Sequence, residues 1–190
     1  MSNVNAKGVL KPAIILLLIC GVAAGLLGVV ASVTAGPIAY QNELATTNAL
    51  AEVLPEGKSF DPIEMTDDLK TGTVASAYDA KNDAGETIGY VVEVTPSGFG
   101  GTIDIMVGVD LEGKVTGISI LSMSESPGLG ANASQENFRS QFVGLSAPIA
   151  VTKDGGTILA LTSATITSRA VSDGVTDACN WATSYNGGAN

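Results

Sequence analysis

From Ala13 to Ala35 the chain reads AIILLLICGVAAGLLGVVASVTA, without a charge and with Ser32 and Thr34 as its hydroxylic interruptions. A helix crosses the hydrocarbon of a bilayer with about 20 such residues, so residues 13–35 predict a transmembrane helix behind a short tail, 1–12. The run exceeds the roughly 7–15 residues of a cleaved signal peptide's apolar region, which makes a retained anchor the expectation. Gly36-Pro37 predicts a break. After it, IAYQNELATTNALAEVL (38–54) places Leu44, Leu50, Val53 and Leu54 among helix formers, a short amphipathic pattern that ends at Pro55-Glu56-Gly57. The polar, proline-broken PEGKSFDPIEMTDD (55–68) reads as a connector, so that helix and connector together fill 36–72.

Residue 73 begins a different pattern. TVASAYDA (73–80) and TIGYVVEVT (87–95) flank a turn containing Asn82-Asp83 and Gly85, a hairpin signal. The glycine-dense PSGFGG (96–101) leads into TIDIMVGVD (102–110) and, past Leu111-Glu112-Gly113-Lys114, into VTGISILSM (115–123). Ile103, Ile105, Val107 and Val109 alternate, and Val115, Ile118 and Ile120 nearly do, as expected of antiparallel strands with one buried face. SESPGLGANASQENF (124–138) starts as a loop and turns helical near Ser134, while PIAVTK (148–153) and TILALT (157–162) suggest two more strands. A last helix is predicted from about Thr167 to Trp181, with Trp181 as a packing residue. Strands in series with helices appended give an α+β domain over 73–185, followed by a tail, 186–190.

Charge orients this arrangement. Lys7 and Lys11 precede the apolar run with no acid, whereas 7 basic and all 19 acidic residues follow it, a balance of −12. Basic flanks stay cytoplasmic, so the expected topology is single-pass, with the N-terminus inside and the domain outside. That surplus of negative charge excludes nucleic acid as a partner. Histidine is absent, which removes the usual imidazole base and ligand. The two cysteines fall in the span (Cys20) and in the domain (Cys179), so neither a disulfide nor a metal site is expected.

The densest chemistry lies in LTSATITSRAV (161–171), where Thr162, Ser163, Thr165, Thr167 and Ser168 crowd the approach to the last helix. Two readings stand side by side. Thr167 or Ser168 could be an N-cap and nothing more. Alternatively, unpaired N–H groups and the helix dipole could receive an anion, with small Ser163 and Ala164 letting it approach the backbone. Without histidine or G-x-S-x-G, serine-nucleophile catalysis has no support, and no catalytic residue is assigned.

TSATITSRAV resembles the flavinylation motif of FMN-binding subunits in the Rnf and Na+-translocating NADH:quinone reductase complexes, S/T-G-A-T-x-T-S. Ser163 stands at the motif's glycine and Leu159 where an aspartate commonly precedes it. GFGGTIDIMVGVDLEGKVTGISIL (98–121) is similar to the family's glycine-rich strand pair, and SESPGLGANA (124–133) to its ETPGLG loop, with Ser126 in place of threonine. Phe138 and Phe142 match the aromatic spacing that follows, so the likeness runs in order from about residue 73 to 180.

The resemblance implies FMN attached covalently, through its phosphate, to Thr165 by a flavin transferase. Thr162, Ser163, Ala164, Thr167 and Ser168 would surround the attachment, and Gly128 and Gly130 would let backbone N–H groups reach the flavin. Ser126 would line that loop and Leu129 would offer an apolar face. Glu125 is either an ordinary loop carboxylate or the group that holds the loop, and Lys153 either neutralises the phosphate or is solvated. The implied role is a one-electron carrier without a substrate of its own, linked to the membrane and cytoplasmic subunits of a ferredoxin:NAD+ oxidoreductase that moves Na+ or H+. The short connector and overall length favour the G subunit of Rnf complexes over the C subunit of the quinone reductase. A stand-alone tethered flavoprotein and a non-redox surface module are the alternatives.

Overall fold

The computed structural model describes residues 6–66 and 69–188, so the expectations for the ends of both tails and for residues 67 and 68 lie outside the described residues. Two compact units are present, Met1–Leu44 and Ala45–Asn190. Helix α1 runs Ala6–Val53. Within the first unit its large apolar residues, from Ile14 through Val33, are each half exposed or more, and the helix is long and apolar enough to span a membrane. The two hydroxyls of the run 13–35 are self-satisfied, Ser32 Oγ donating to Val29 O at 2.8 Å and Thr34 Oγ1 to Val30 O at 2.9 Å. Such back-bonding leaves neither hydroxyl without a partner. The predicted break at Gly36-Pro37 is not there, since Pro37 lies inside the helix.

The second unit is built on five antiparallel strands in sequential order: β1 (Ser59–Ile63), β2 (Val74–Lys81), β3 (Thr87–Val94), β4 (Ile103–Asp110) and β5 (Val115–Met123). β1 forms in the stretch expected to be a connector. It pairs along the sheet edge from Ser59↔Lys81 to Ile63↔Ala77, a place where Pro62 is tolerated because an edge strand leaves donors unused. On one face, Ile103, Ile105, Val107 and Val109 join Val92, Val94, Val115 and Ile118 in the main core. A register shift between Gly108 and Val109 opposite Gly117 and Val115 inserts Thr116 as an extra residue. That bulge lets Val115 and Ile118, three apart, share a face.

The other face is not left to solvent, as the alternation had suggested. Ala49, Leu50, Val53 and Leu54, at the end of α1, pack there against Val91, Met106 and Ala80. Leu50, Val53 and Leu54 are buried as their spacing predicts, while Leu44 stays 38% exposed. Paired Gly108 and Gly117 make this contact possible: a Cβ on Gly108 would collide with Val53 O, and one on Gly117 would sit 3.0 Å from it.

The main core is closed by α3 (Thr165–Gly188), which begins earlier and ends later than expected. It lays Val171, Val175, Ala178, Cys179 and Ala182 on the sheet, a stripe at helical spacing. Burial pushes the Cys179 thiol up to about 11, leaving it an inert core residue. Trp181 packs too, stacked 4.9 Å from Tyr185, with its Nε1 donating to Leu69 O at 2.8 Å. The helix expected near Ser134 is a 3-10 segment, Gly130–Ser134, then the one-turn α2 (Glu136–Arg139). The two strands expected over 148–162 reduce to a single bridge, Val151↔Ile158, around a 3-10 turn, Thr152–Asp154. Left-handed Gly155 (φ 85°) closes that turn and leaves too little extended chain for a ladder.

Candidate functional site

Three segments distant in sequence converge beside the start of α3. PSGFGG joins β3 to β4 and lifts Phe99 to its tip, 71% exposed. The loop after β5 folds on the Ser126 carbonyl, which accepts from Leu129 N and Ala131 N, both at 3.2 Å. The third segment is the first turn of α3. Between them lies a cavity of about 380 Å³, lined by Phe99, Glu125, Leu129, Gly130 and residues 163–167.

One carboxylate holds the walls together. Glu125, 9% exposed, accepts from Phe99 N at 2.7 Å and Gly100 N at 3.0 Å through Oε1, and from Thr167 Oγ1 at 2.9 Å through Oε2. Gly130 is required there, because a Cβ would meet Glu125 Oε2. Glu125 is therefore the group that holds the loop. The charge is matched by three donors, each hydrogen bond to it stronger than a neutral one.

The predicted cap is corrected. Thr167 and Ser168 are 1% and 0% exposed and lie inside α3. Thr167 is committed to Glu125, while Ser168 Oγ accepts from Leu161 N and donates to Ala164 O, both at 2.9 Å. The residue ahead of the helix is Ala164, which has no side-chain oxygen. The first intrahelical bond runs from Ser168 N to Ala164 O, so the N–H groups of Thr165, Ile166 and Thr167 carry the donor capacity of a helix start. Ser163, ahead of them, has φ 61°, a left-handed conformation that costs a side-chain-bearing residue roughly 1–2 kcal/mol. Strain of that kind collects at functional sites.

Thr165 is the first residue of α3, half-buried, and its Oγ1 accepts from Lys153 Nζ at 3.2 Å. Beside it Asp154 receives Arg169 in a fork, Nε to Oδ2 at 2.6 Å and Nη2 to Oδ1 at 2.8 Å. That pairing holds the Asp154 carboxyl below its ordinary range. Phe99, Leu129 and Ile166, all exposed, supply apolar surface around this polar mouth. Helix N–H donors, a cation and a hydroxyl at one end, with apolar side chains at the other, fit the phosphate and ring system of a flavin mononucleotide. A cavity of this size is at the small end of ligand pockets.

Comparison with known proteins decides the family. Residues 98–180 match the FMN-binding domain, and residues 1–53 match the RnfG N-terminal region. The chain is 36% identical to the G subunit of the Na+-translocating ferredoxin:NAD+ oxidoreductase complex of Acetobacterium woodii, with 91% of each chain covered. It is 37% identical to the G subunit of the proton-translocating ferredoxin:NAD+ oxidoreductase complex of Clostridium ljungdahlii, over 80% of each. Against the G subunit of the ion-translocating oxidoreductase complex of Methanosarcina acetivorans the identity is 31%, over 96% of this chain and 99% of the relative. The chain belongs to the G-subunit family of ion-translocating oxidoreductase complexes.

Of the residues named from the sequence, Thr165, Ser163, Ala164, Thr167, Glu125, Ser126, Leu129 and Gly130 all reach the cavity wall. Four others named from the sequence stand back from it. Thr162 is exposed, Ser168 is turned into the helix, and Lys153 reaches Thr165 from outside the lining. Gly128 shapes the loop with φ 75°. The sequence does not single out Phe99, Ile166 or Arg169. An apolar residue flanked by glycines in GFGG was the available signal for Phe99, whereas Arg169 becomes visible only through its partner Asp154.

Proposed function

We propose that this chain is the electron-carrying G subunit of a membrane-bound ion-translocating ferredoxin:NAD+ oxidoreductase, with FMN joined through its phosphate to Thr165. Bound there, FMN supplies reversible electron transfer, and the protein sets its place and surroundings. Thr165 holds the ester. The first N–H groups of α3 face the phosphate, Phe99, Leu129 and Ile166 cover apolar ring surface, and Glu125 keeps the three walls in register. The observation that carries this reading is the position of Thr165: a reachable hydroxyl on the first residue of a 24-residue helix, at the wall of the cavity and 3.2 Å from a lysine. In a chain without histidine, Thr165 is the substrate of a separate flavin transferase and afterwards a tether. A tether suits a domain outside the membrane, where lost cofactor is not replaced. The acidic balance after α1 and Lys7 and Lys11 before it support a single-pass topology with the N-terminus inside. The partners are the membrane and cytoplasmic subunits of the same complex.

The test is the mass of the intact chain from cells that contain the transferase. One FMN increment on the peptide bearing Thr165 is expected, and an unmodified chain overturns the attachment. Protease added outside intact cells should release the domain, and protection of the domain reverses the topology. Isolation of the native membrane complex should retain the chain, whereas recovery as a lone monomer refutes the assembly.

A further inference from the structure

The 3-10 turn Thr152–Asp154 meets α3 through two consecutive side chains. Lys153 donates to Thr165 Oγ1, and Asp154 receives the Arg169 fork. Thr165 and Arg169 are four apart on one helix, hence on the same face, with about 5–6 Å between their Cβ atoms. The Arg169–Asp154 pair is not a buried structural bridge, because its side chains are 47% and 40% exposed. An ion pair so open to water adds little to stability. Its guanidinium, however, matches phosphate oxygens in the same bidentate geometry as a carboxylate.

The local charge is also unusual. Lys153 and Arg169 stand beside Thr165 in a chain whose net charge is −10, set against Asp154 and, one turn further along α3, Asp173. A phosphodiester carries one negative charge at neutral pH. We propose that Lys153 and Arg169 form a two-cation clamp for a phosphate at Thr165, with Asp154 the counter-ion that the phosphate displaces from Arg169. The clamp rests on the FMN reading of the site and adds to it the residues that select a phosphorylated flavin.

The experiment uses the full-length Thr165→Val chain in detergent, which cannot form the ester, titrated with FMN and with riboflavin, which lacks the phosphate. FMN should bind at least tenfold tighter than riboflavin, with an affinity that falls as salt rises. Lys153→Met and Arg169→Met, each added to Thr165→Val, should weaken FMN severalfold and leave riboflavin unchanged. Lys81→Met, distant and paired with Asp61, should change neither. Asp154→Asn frees Arg169 and should tighten FMN alone. Equal binding of the two flavins, no binding of FMN, or an FMN preference that survives both cation substitutions overturns the clamp. So does an Asp154→Asn chain that loses FMN as Arg169→Met does, since the pair would then be structural. In the wild-type chain, the phosphorus NMR shift of the ester should move in Lys153→Met and not in Lys81→Met. Covalent mass on Thr165 in the wild type is scored separately, so a failed clamp leaves the attachment standing and a missing adduct is seen independently.

Discussion

The two long helices meet the domain in opposite ways. The C-terminal end of α1 is closed. Val53 O accepts from Thr116 Oγ1 at 2.6 Å, Glu52 takes Ser119 Oγ and Arg139 Nη1, also at 2.6 Å, and Gly108 and Gly117 bring the backbone into contact. Burial by itself would raise the Glu52 carboxyl, but the hydrogen bonds from Ser119 and Arg139, with the arginine charge, bring it below its usual value of 4.5. The N-terminal end of α3 is open. Its first residues have an alanine where a cap would stand, apolar side chains lie exposed around it, and a strained serine leads into it. An end that only needs to be stable spends its polar groups inside the protein. An end proposed to receive a ligand keeps some of them unspent.

Substitutions can break this contrast, and the largest effect belongs to the open end. Thr165→Val should remove covalent flavin altogether, read by intact mass, while thermal unfolding of the domain changes little. In-gel flavin fluorescence that survived would move the attachment to another hydroxyl. Glu125→Ala should cost roughly 1–3 kcal/mol, because it strands the buried Thr167 hydroxyl and removes the acceptor of two part-buried N–H groups. Chemical denaturation measures that loss, and Glu125→Gln, which retains acceptor capacity, should recover part of it. At the closed end, Gly108→Ala pushes a methyl into Val53 O and Thr116 Oγ1 and should destabilise by about 1–3 kcal/mol, with flavin loading unchanged. An unchanged melting temperature would mean that the two backbones are not in close contact.

Two smaller effects sharpen the comparison. Ser163→Gly should stabilise the domain by up to ~1 kcal/mol by relieving the left-handed backbone, the sign expected if strain is stored at the open end. A destabilised variant would place the serine hydroxyl in the folded structure's own bonding. The Glu52 carboxyl lies below its usual value when folded, so its contribution to stability is present above about pH 4.5 and is lost as pH falls through the lowered folded value. Comparing wild type with Glu52→Gln from pH 7 to 3 should show the wild type's advantage shrinking at the acid end. A constant difference across that range would remove the linkage.

Much of this was legible beforehand. A long uncharged run has one physical solution, a helix that bonds its own backbone, and strict alternation in Ile103, Ile105, Val107 and Val109 has another, so the long apolar helix and the central strands could be read directly. The hydroxyls of 162–168 and the glycine loops marked the site for the same reason: their chemistry is local. Other features depended on partners far along the chain. The helix runs on through Gly36-Pro37 where the local signal predicts a break, and the edge strand at Ser59–Ile63 exists because β2 offers it a ladder.

The sequence by itself determined which residue types the site contains and that Thr165 stands between small neighbours. Only the tertiary structure decided how those residues divide the work. Glu125 accepts from Gly100 and Thr167, 25 and 42 residues away, and Arg169 finds Asp154 fifteen residues back. Periodicity reports the face on which a residue lies. Which groups then spend their hydrogen bonds on one another, and which are left for a ligand, is set by distances that exist only once the chain has folded.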